Sequence, residues 1–239
     1  MNVVVRRTTL PGTLALALAF SAGRPAPAAA QAELLGPGAG FISAGVAGIE
    51  TDDLEAWLGE RGYPTFGRSA GSIGIGAYRV LDNGLVLGFE FNGLGIGAEE
   101  HEGAEIGVGG GYATLGIGYA IQVSPRVRVV PRLGLGAGGM AIWVDRQDTV
   151  AFEQVLAQEV AVTDRMNSMG RDGLVADLGI GAEFLPRDRS GLLIGVRAGY
   201  LAGPASSEWE SPDFEVAGGP DASIAGPYAR ITLGWAWRK

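Results

Sequence analysis

Seven charged residues lie inside glycine-rich segments in which large and small side chains alternate. They are the main candidates for a functional site. They are Glu90, Arg128, Arg132, Asp177, Glu183, Arg197 and Arg230. The strand pattern described below turns these seven residues toward the inside of the fold. Charges in a narrow interior must be paired and hydrogen-bonded, because an unpaired buried charge is costly. One interpretation is an interlocking set of ion pairs that fills the interior; the other is a narrow or gated ion path. We favour the first, because small residues beside the charges suit a tight interior.

The chain's only histidine, His101, lies among the acids Glu99, Glu100 and Glu102. Such a group could form a loose divalent-cation site, but one histidine in a loop lacks defined ligand geometry. A solvated acidic loop is therefore the favoured interpretation. No histidine–serine pair stands near the end of a predicted strand, so nothing indicates an active site. We expect no enzyme, no bound metal and no cofactor.

The segment 84–97 shows how such charges are positioned. Its residues alternate with a period of two: Leu85, Leu87, Phe89 and Phe91 on one side, and Val86, Gly88, Glu90 and Asn92 on the other. This alternation is typical of a β-strand with two unlike faces. The bulky face is predicted to meet lipid and the small, polar face to point inward.

Eight strands of this kind are predicted, at 38–50, 68–79, 84–97, 105–122, 126–144, 173–185, 192–202 and 223–237. Short turns follow the second, fourth and sixth strands, the first of them carrying the hairpin pair Asn83-Gly84. Longer connections follow the first, third, fifth and seventh, and 98–103 is one of them. The apolar residues of the fourth strand change parity near Gly109–Gly111, which predicts a β-bulge there. Pro131 counts against the fifth strand, because proline removes a ladder hydrogen bond.

Residues 1–30 read as an export signal, and 31–239 as the mature domain. Arg6 and Arg7 precede a short apolar run, and Ala28–Ala30 offers a cleavage site. Removing this segment deletes three arginines and no acids, so the formal net charge moves from −8 to −11. Nucleic acid is therefore an unexpected partner. The mature segment has no apolar run of membrane-helix length, so a membrane would be crossed by strands.

The even strand count, the alternating connection lengths and the closing segment YARITLGWAW resemble the small eight-stranded outer-membrane barrels of the OmpA/OmpX type. The resemblance covers residues 36–239. It is to the barrel alone, without a peptidoglycan-binding domain. It implies an all-β antiparallel transmembrane barrel with short periplasmic turns and long extracellular loops. Two aromatic girdles follow: Tyr119, Phe184, Trp235 and Trp237 at the periplasmic rim, and Trp143 and Tyr200 at the outer rim.

Two connections contain segments of helical period. In 52–60, a capping box of Asp52 with Glu55 is predicted, with Leu54, Trp57 and Leu58 on one face. The segment 152–160 has the same period. Each is expected to pack as part of a loop; a lid on the barrel mouth, a position in the outer headgroup layer and an apolar ligand site stay open as alternatives.

The predicted function is that of a non-enzymatic outer-membrane barrel that supports envelope integrity and interacts through its acidic loops. The expected partners are outer-membrane lipid or lipopolysaccharide and an extracellular molecule, and the barrel is expected to be a monomer. The alternative is a narrow channel or carrier for small solutes. A lipid-modifying barrel enzyme and a soluble ligand-binding barrel are less favoured.

Overall fold

The computed structural model describes residues 38–101, 104–146, 166–186, 191–203, 208–211 and 218–237. The strands are β1 (Gly38–Gly48), β2 (Ser69–Val80), β3 (Leu85–His101), β4 (Ala104–Tyr119), β5 (Ile121–Ser124), β6 (Val127–Arg146), β7 (Met166–Phe184), β8 (Gly191–Ala202) and β9 (Gly226–Trp237). A helix, α1 (Asp52–Glu60), lies between β1 and β2. Within these residues, no helix combines the length and the apolar character that a membrane span requires. The predicted export signal lies outside the described residues.

The strands form one closed antiparallel barrel. Apart from β4 and β5, strands that are neighbours in sequence pair with each other, and β1 pairs with β9, so the first and last strands close the sheet. The segments β4 and β5 occupy one position, since both pair with β6. The barrel therefore has the eight positions that the sequence predicts. At one end of the barrel lie the short connections, the start of β1 and the finish of β9, and we call it the turn end. We call the opposite end the loop end.

Alternation places bulky apolar side chains on the outer surface. Leu115 is 74% exposed and Leu174 is 83% exposed, whereas the inward residues Glu90 and Asp177 are almost fully buried. A soluble barrel would bury its large apolar side chains inside. This arrangement instead suits a barrel whose outer surface meets lipid.

The predicted β-bulge in β4 is wrong. Pairing of β4 with β6 runs without a shift from Ala104 to Gly118. The bulge lies in the neighbouring strand β3, between Gly95 and Gly97. The alternation of β4 side chains between the two faces is therefore unbroken. What changes is the face that carries the apolar residues: Ile106 is buried inside the barrel, whereas Leu115 and Ile117 face outward. The sequence pattern misleads because the interior at the loop end is itself apolar.

The break between β4 and β5 explains how Pro131 fits inside β6. Arg132 pairs with Gly118 and Val129 pairs with Ile121, so Tyr119 lies opposite Pro131 and Ala120 opposite Val130, and neither is paired with β6. The backbone N–H of Ala120 is donated to the Gly84 carbonyl on the other side, at 2.9 Å. Proline has no backbone N–H to donate to a ladder, and Pro131 lies where the ladder between β6 and its neighbour is interrupted.

Two other predicted boundaries differ from the structure. The connection 98–103 is largely strand, because β3 extends to His101 and β4 begins at Ala104. Strand β7 begins at Met166 rather than at residue 173. Backbone pairing continues in both places without the apolar alternation that a lipid-facing segment needs, so the alternation alone underestimates strand length. The predicted hairpin turn at Asn83-Gly84 is present, with a positive φ of 86° at Gly84.

Candidate functional site

The barrel interior is built in three layers. At the turn end lies an apolar cluster that includes Ala39, Val86, Val130 and Leu193. At the loop end lies a larger apolar cluster, of which Leu94 is one member. Between them lie the seven predicted charges, all inward-facing, which we call the charged layer.

Glu90 is the centre of the charged layer. It is 2% exposed and accepts hydrogen bonds from three arginines on three strands. Arg132 Nη1 reaches Glu90 Oε2 at 2.6 Å, and Arg197 Nη1 reaches the same oxygen at 2.9 Å. Arg230 Nη1 reaches Glu90 Oε1 at 3.1 Å, where Asn92 also donates. One carboxylate thus ties β3 to β6, β8 and β9 across the barrel.

Glu183 forms a second node of the charged layer, nearer the turn end. Arg128 Nε donates to Glu183 Oε2 at 2.7 Å, and Arg197 Nη2 lies 3.4 Å from Glu183 Oε1. The Tyr78 hydroxyl donates to Glu183 Oε2 at 2.7 Å and accepts from Arg128. Arg197 therefore bridges the two glutamates, since its other nitrogen contacts Glu90.

Asp177 completes the charged layer. Arg132 Nη2 donates to Asp177 Oδ2 at 2.7 Å, and the Tyr228 hydroxyl donates to Asp177 Oδ1 at 2.7 Å. Arg230 donates to the hydroxyl of Tyr112 as well as to Glu90. Every charged member therefore contacts a partner from another strand, and charge-assisted bonds of this kind are the strong ones in proteins.

Sequence reasoning missed the three tyrosines of the charged layer, Tyr78, Tyr112 and Tyr228. Each hydroxyl contacts a charged partner, and the rings of Tyr78 and Tyr228 also lie near Arg128 and Arg230. The available signal was their parity: the tyrosines occupy the same inward face as the charges. The ring of an inward-facing tyrosine can pack against an apolar layer while its hydroxyl forms hydrogen bonds with a charged layer.

A small cavity lies beside the charged layer, towards the turn end. Its volume is about 40 Å³, and its lining includes Phe41, Thr114, Val130 and Arg132. A cavity of roughly 10–15 Å³ has room for one water molecule, so this one has room for a few species of that size. Arg132 is the charged residue with some accessibility, its side chain being 15% exposed. The cavity is too small for a solute path of ordinary size.

The helix α1 covers the loop end of the barrel. Leu54 and Leu58 are 1% and 5% exposed and belong to the apolar cluster there. The Glu55 carboxylate accepts hydrogen bonds from the backbone N–H groups of Phe66 and Gly67, at 2.8 and 3.1 Å. The segment after the helix is thereby fastened to it, and α1 packs as a lid.

Two details of the predicted helix are wrong. Its N-cap is Thr51, without a side-chain capping bond, so Asp52 and Glu55 form no capping box. Trp57 is 39% exposed and stacks with Tyr63 rather than packing inward. The helix presents only two residues to the barrel because only its leucine edge faces the apolar cluster. The second predicted helical segment, 152–160, lies outside the described residues.

A second segment closes the loop end from the connection between β8 and β9. Trp209 is 4% exposed, its indole Nε1 donates to the Pro220 carbonyl at 2.9 Å, and Arg171 lies over its ring. A backbone bridge joins Gly170 to Glu210. The mouth is thus filled by side chains from two connections.

The predicted girdle residues lie at the two ends of the barrel. At the turn end, Tyr119, Phe184, Trp235 and Trp237 face outward and are between 41% and 58% exposed. At the loop end, Tyr200 is 49% exposed and Trp143 is half-buried. The Trp143 ring contacts the positions where Gly107 and Gly109 of β4 lack side chains. Glycine at those positions lets the indole lie against the sheet.

His101 is the last residue of β3, opposite Ala104, and so stands at a hairpin tip rather than in a loop. The described residues contain no group of three or more histidine, cysteine or acidic side chains that could hold a metal ion. The acids of the charged layer are engaged by arginines.

Comparison with known proteins identifies the family. Residues 13–218 match the family described as outer membrane protein beta-barrel domain. No curated protein matches the chain in sequence. Similar solved structures include Ail, the attachment invasion locus protein of Yersinia pestis, at 15% identity and a TM-score of 0.44, covering 84% of this chain and 97% of that one. The N-terminal β-barrel domain of Pseudomonas aeruginosa OprF has 11% identity and a TM-score of 0.43, with the same coverage.

The match spans most of the sequence, and it agrees with the closed antiparallel barrel and its apolar outer surface. The protein is located in the outer membrane, with the turn end periplasmic and the loop end extracellular. The chain belongs to the outer-membrane protein β-barrel domain family.

Proposed function

We propose that this chain is a non-enzymatic, non-conducting outer-membrane barrel that supports the envelope and interacts with partners through its extracellular end. The observation that carries the proposal is the charged layer, in which Glu90 alone joins three arginines from three other strands. A cross-section filled by interlocked side chains leaves no continuous water path. It also ties opposite walls of the barrel together.

The lid supports the same function. An ion that entered from outside would meet α1 and the apolar cluster before it reached the charged layer, with Leu54 and Ile224 almost fully buried there. Hydrophobic constrictions without water oppose the passage of ions. The closed state thus has two independent barriers in series, one apolar and one made of ion pairs.

The extracellular end offers a surface with excess negative charge. Exposed acids include Asp53, Glu60, Glu99, Glu100 and Glu208. A surface of this sign attracts cationic partners and repels anionic ones over about one Debye length, about 8 Å at physiological ionic strength. We infer that a protein partner, if one binds there, presents basic residues. Binding would weaken as salt concentration rises.

Reconstitution into liposomes tests the proposal. The mature chain is expected to leave the efflux of small sugars and of K⁺ at the level of protein-free vesicles. Incubation with lipid A is expected to leave the lipid mass unchanged. Turnover of lipid A that disappears in His101→Ala would show an enzyme and overturn the non-enzymatic assignment.

The second candidate function is a narrow channel, which the cavity beside Arg132 favours. In that case efflux of K⁺ or Cl⁻ would exceed the control, and it would change in Arg132→Ala. Retention of sugars with leakage of ions would indicate a path of ion size. Vesicles that retain both support the closed barrel.

A further inference from the structure

The charged layer contains one more positive charge than negative. Its four arginines face three carboxylates, which gives the layer a net charge of +1; Arg132 is 15% exposed and the other six members are buried. Each carboxylate is contacted by at least one arginine. The tyrosine hydroxyls do not supply a further negative charge, because phenols are neutral near pH 7. An uncompensated charge in this environment is strongly unfavourable.

The cavity adjoins the side of the charged layer where hydrogen-bond donors are in excess. Arg132 and Thr114 both line it. Arg132 uses Nη1 and Nη2 on Glu90 and Asp177, while its Nε has no hydrogen-bond partner among the described residues. The Thr114 hydroxyl, on a residue only 3% exposed, also has no partner there. Two unpartnered donors and the surplus positive charge therefore belong to residues that line one small cavity.

The size of the cavity restricts the ligand. About 40 Å³ accommodates a few species of the size of water. A halide ion is of this size, whereas phosphate, sulfate and organic acids are larger and carry more hydrogen-bond acceptors than the site has donors. Glu90 and Glu183 also line the cavity, but their oxygens are occupied by arginine and by Asn92 or Tyr78.

We propose that the barrel interior binds one small monovalent anion, chloride in the cell's surroundings, in the cavity between Arg132 and Thr114. The anion neutralises the surplus charge and receives the two donors. The site is structural: it completes the ion-pair layer and stabilises the folded barrel. It goes beyond the function proposed above, because a closed barrel could exist without it.

Bromide is the direct probe, because its anomalous scattering locates it in a crystal. Crystals of the refolded mature chain grown with NaBr are expected to show an anomalous peak inside the barrel, in contact with the side chains of Arg132 and Thr114. Bromide peaks confined to the outer surface would contradict the proposal. This measurement needs no variant and so does not depend on the folding of an altered chain.

The second measurement follows stability in detergent as chloride replaces gluconate at constant ionic strength. Above the dissociation constant, each tenfold rise in chloride is expected to raise the ratio of folded to unfolded protein about tenfold. Thr114→Asp adds a fixed carboxylate beside Arg132 and is expected to remove this dependence. Thr114→Asn, similar in size but uncharged, is expected to retain it.

The pair of variants separates specific binding from general salt effects. If Thr114→Asp and Thr114→Asn respond to chloride equally, the anion does not act at this site and the proposal is wrong. If the wild-type protein responds to ionic strength alone, the surplus charge is balanced in another way and the proposal is wrong as well. A liposome leak of chloride with an intact stability dependence would contradict only the closed-barrel function.

Discussion

Arg132 holds Glu90 and Asp177 together: its Nη1 lies 2.6 Å from Glu90 Oε2 and its Nη2 lies 2.7 Å from Asp177 Oδ2. The two acids belong to β3 and β7, strands that do not pair with each other. The guanidinium fork suits this geometry, because it presents several donors in fixed directions. A single side chain therefore links walls that the sheet hydrogen bonds leave apart.

Glu90→Gln should be strongly destabilising. It would leave three arginines without their common acceptor charge, and breaking a buried ion pair by removing one partner costs about 3–5 kcal/mol. Urea unfolding in detergent, followed by tryptophan fluorescence, measures the loss. The matched control is Glu100→Gln on the exposed part of β3, which should change stability by less than about 0.5 kcal/mol. Equal effects of the two substitutions would show that the charged layer contributes nothing special.

Tyr78→Phe should cost about 1–3 kcal/mol, because it leaves a buried donor of Arg128 and an acceptor site of Glu183 less well satisfied. The hydroxyl contacts both residues. Tyr200→Phe is the control, since Tyr200 faces outward and is 49% exposed. The same unfolding assay applies, and no difference between the two variants would contradict the assigned role of Tyr78.

The orientation of β4 can be read with single cysteines, since the chain contains none of its own. Spin labels at Leu115→Cys and Val108→Cys should differ: the first should be accessible to oxygen dissolved in lipid, and the second should be immobile and inaccessible. Val108 is 1% exposed and Leu115 is 74% exposed. A bulge in β4 would make both labels accessible to lipid, which is the result that would show the register in the structure to be wrong.

Leu58→Ala should loosen the lid without unfolding the barrel. Removing a buried leucine side chain costs about 2–5 kcal/mol, and α1 is joined to the rest mainly through Leu54 and Leu58. Hydrogen exchange in 52–60 should accelerate while exchange in β8 stays slow. Trp57→Ala, on the exposed side of the helix, should leave both rates close to those of the wild type. Faster exchange throughout β8 would mean that the lid and the barrel unfold as one unit.

The sequence predicts the strands and the inward face because alternation with a period of two is a local property. The immediate neighbours of Glu90 and Arg132 predict that both face the interior; in the structure Glu90 is 2% and Arg132 15% exposed. Which arginine contacts which acid could not be predicted, since that depends on the register of strands on opposite sides of the barrel. The partner of Tyr78 could not be predicted for the same reason, since Glu183 lies 105 residues away.

Other failures arose where one pattern had two physical causes. The apolar residues Ile106 and Leu115 of β4 occur on opposite parities, which suggests a bulge if all apolar residues meet lipid. They lie on opposite faces because Ile106 packs inside, under the lid. Pro131 likewise conflicts with a strand on sequence grounds, and the conflict disappears only when the unpaired interval at Tyr119 and Ala120 on the neighbouring strand is known.

Conductance across a planar lipid bilayer tests the central claim most directly, that the charged layer closes the barrel. The refolded mature chain, shown to be folded by its gel mobility before and after boiling, should give no discrete openings. Openings that occur only in Arg132→Ala or Glu90→Ala would agree with the account, because they would show that removing one side chain opens the layer. Discrete openings in the wild-type chain, altered by either substitution, would contradict it.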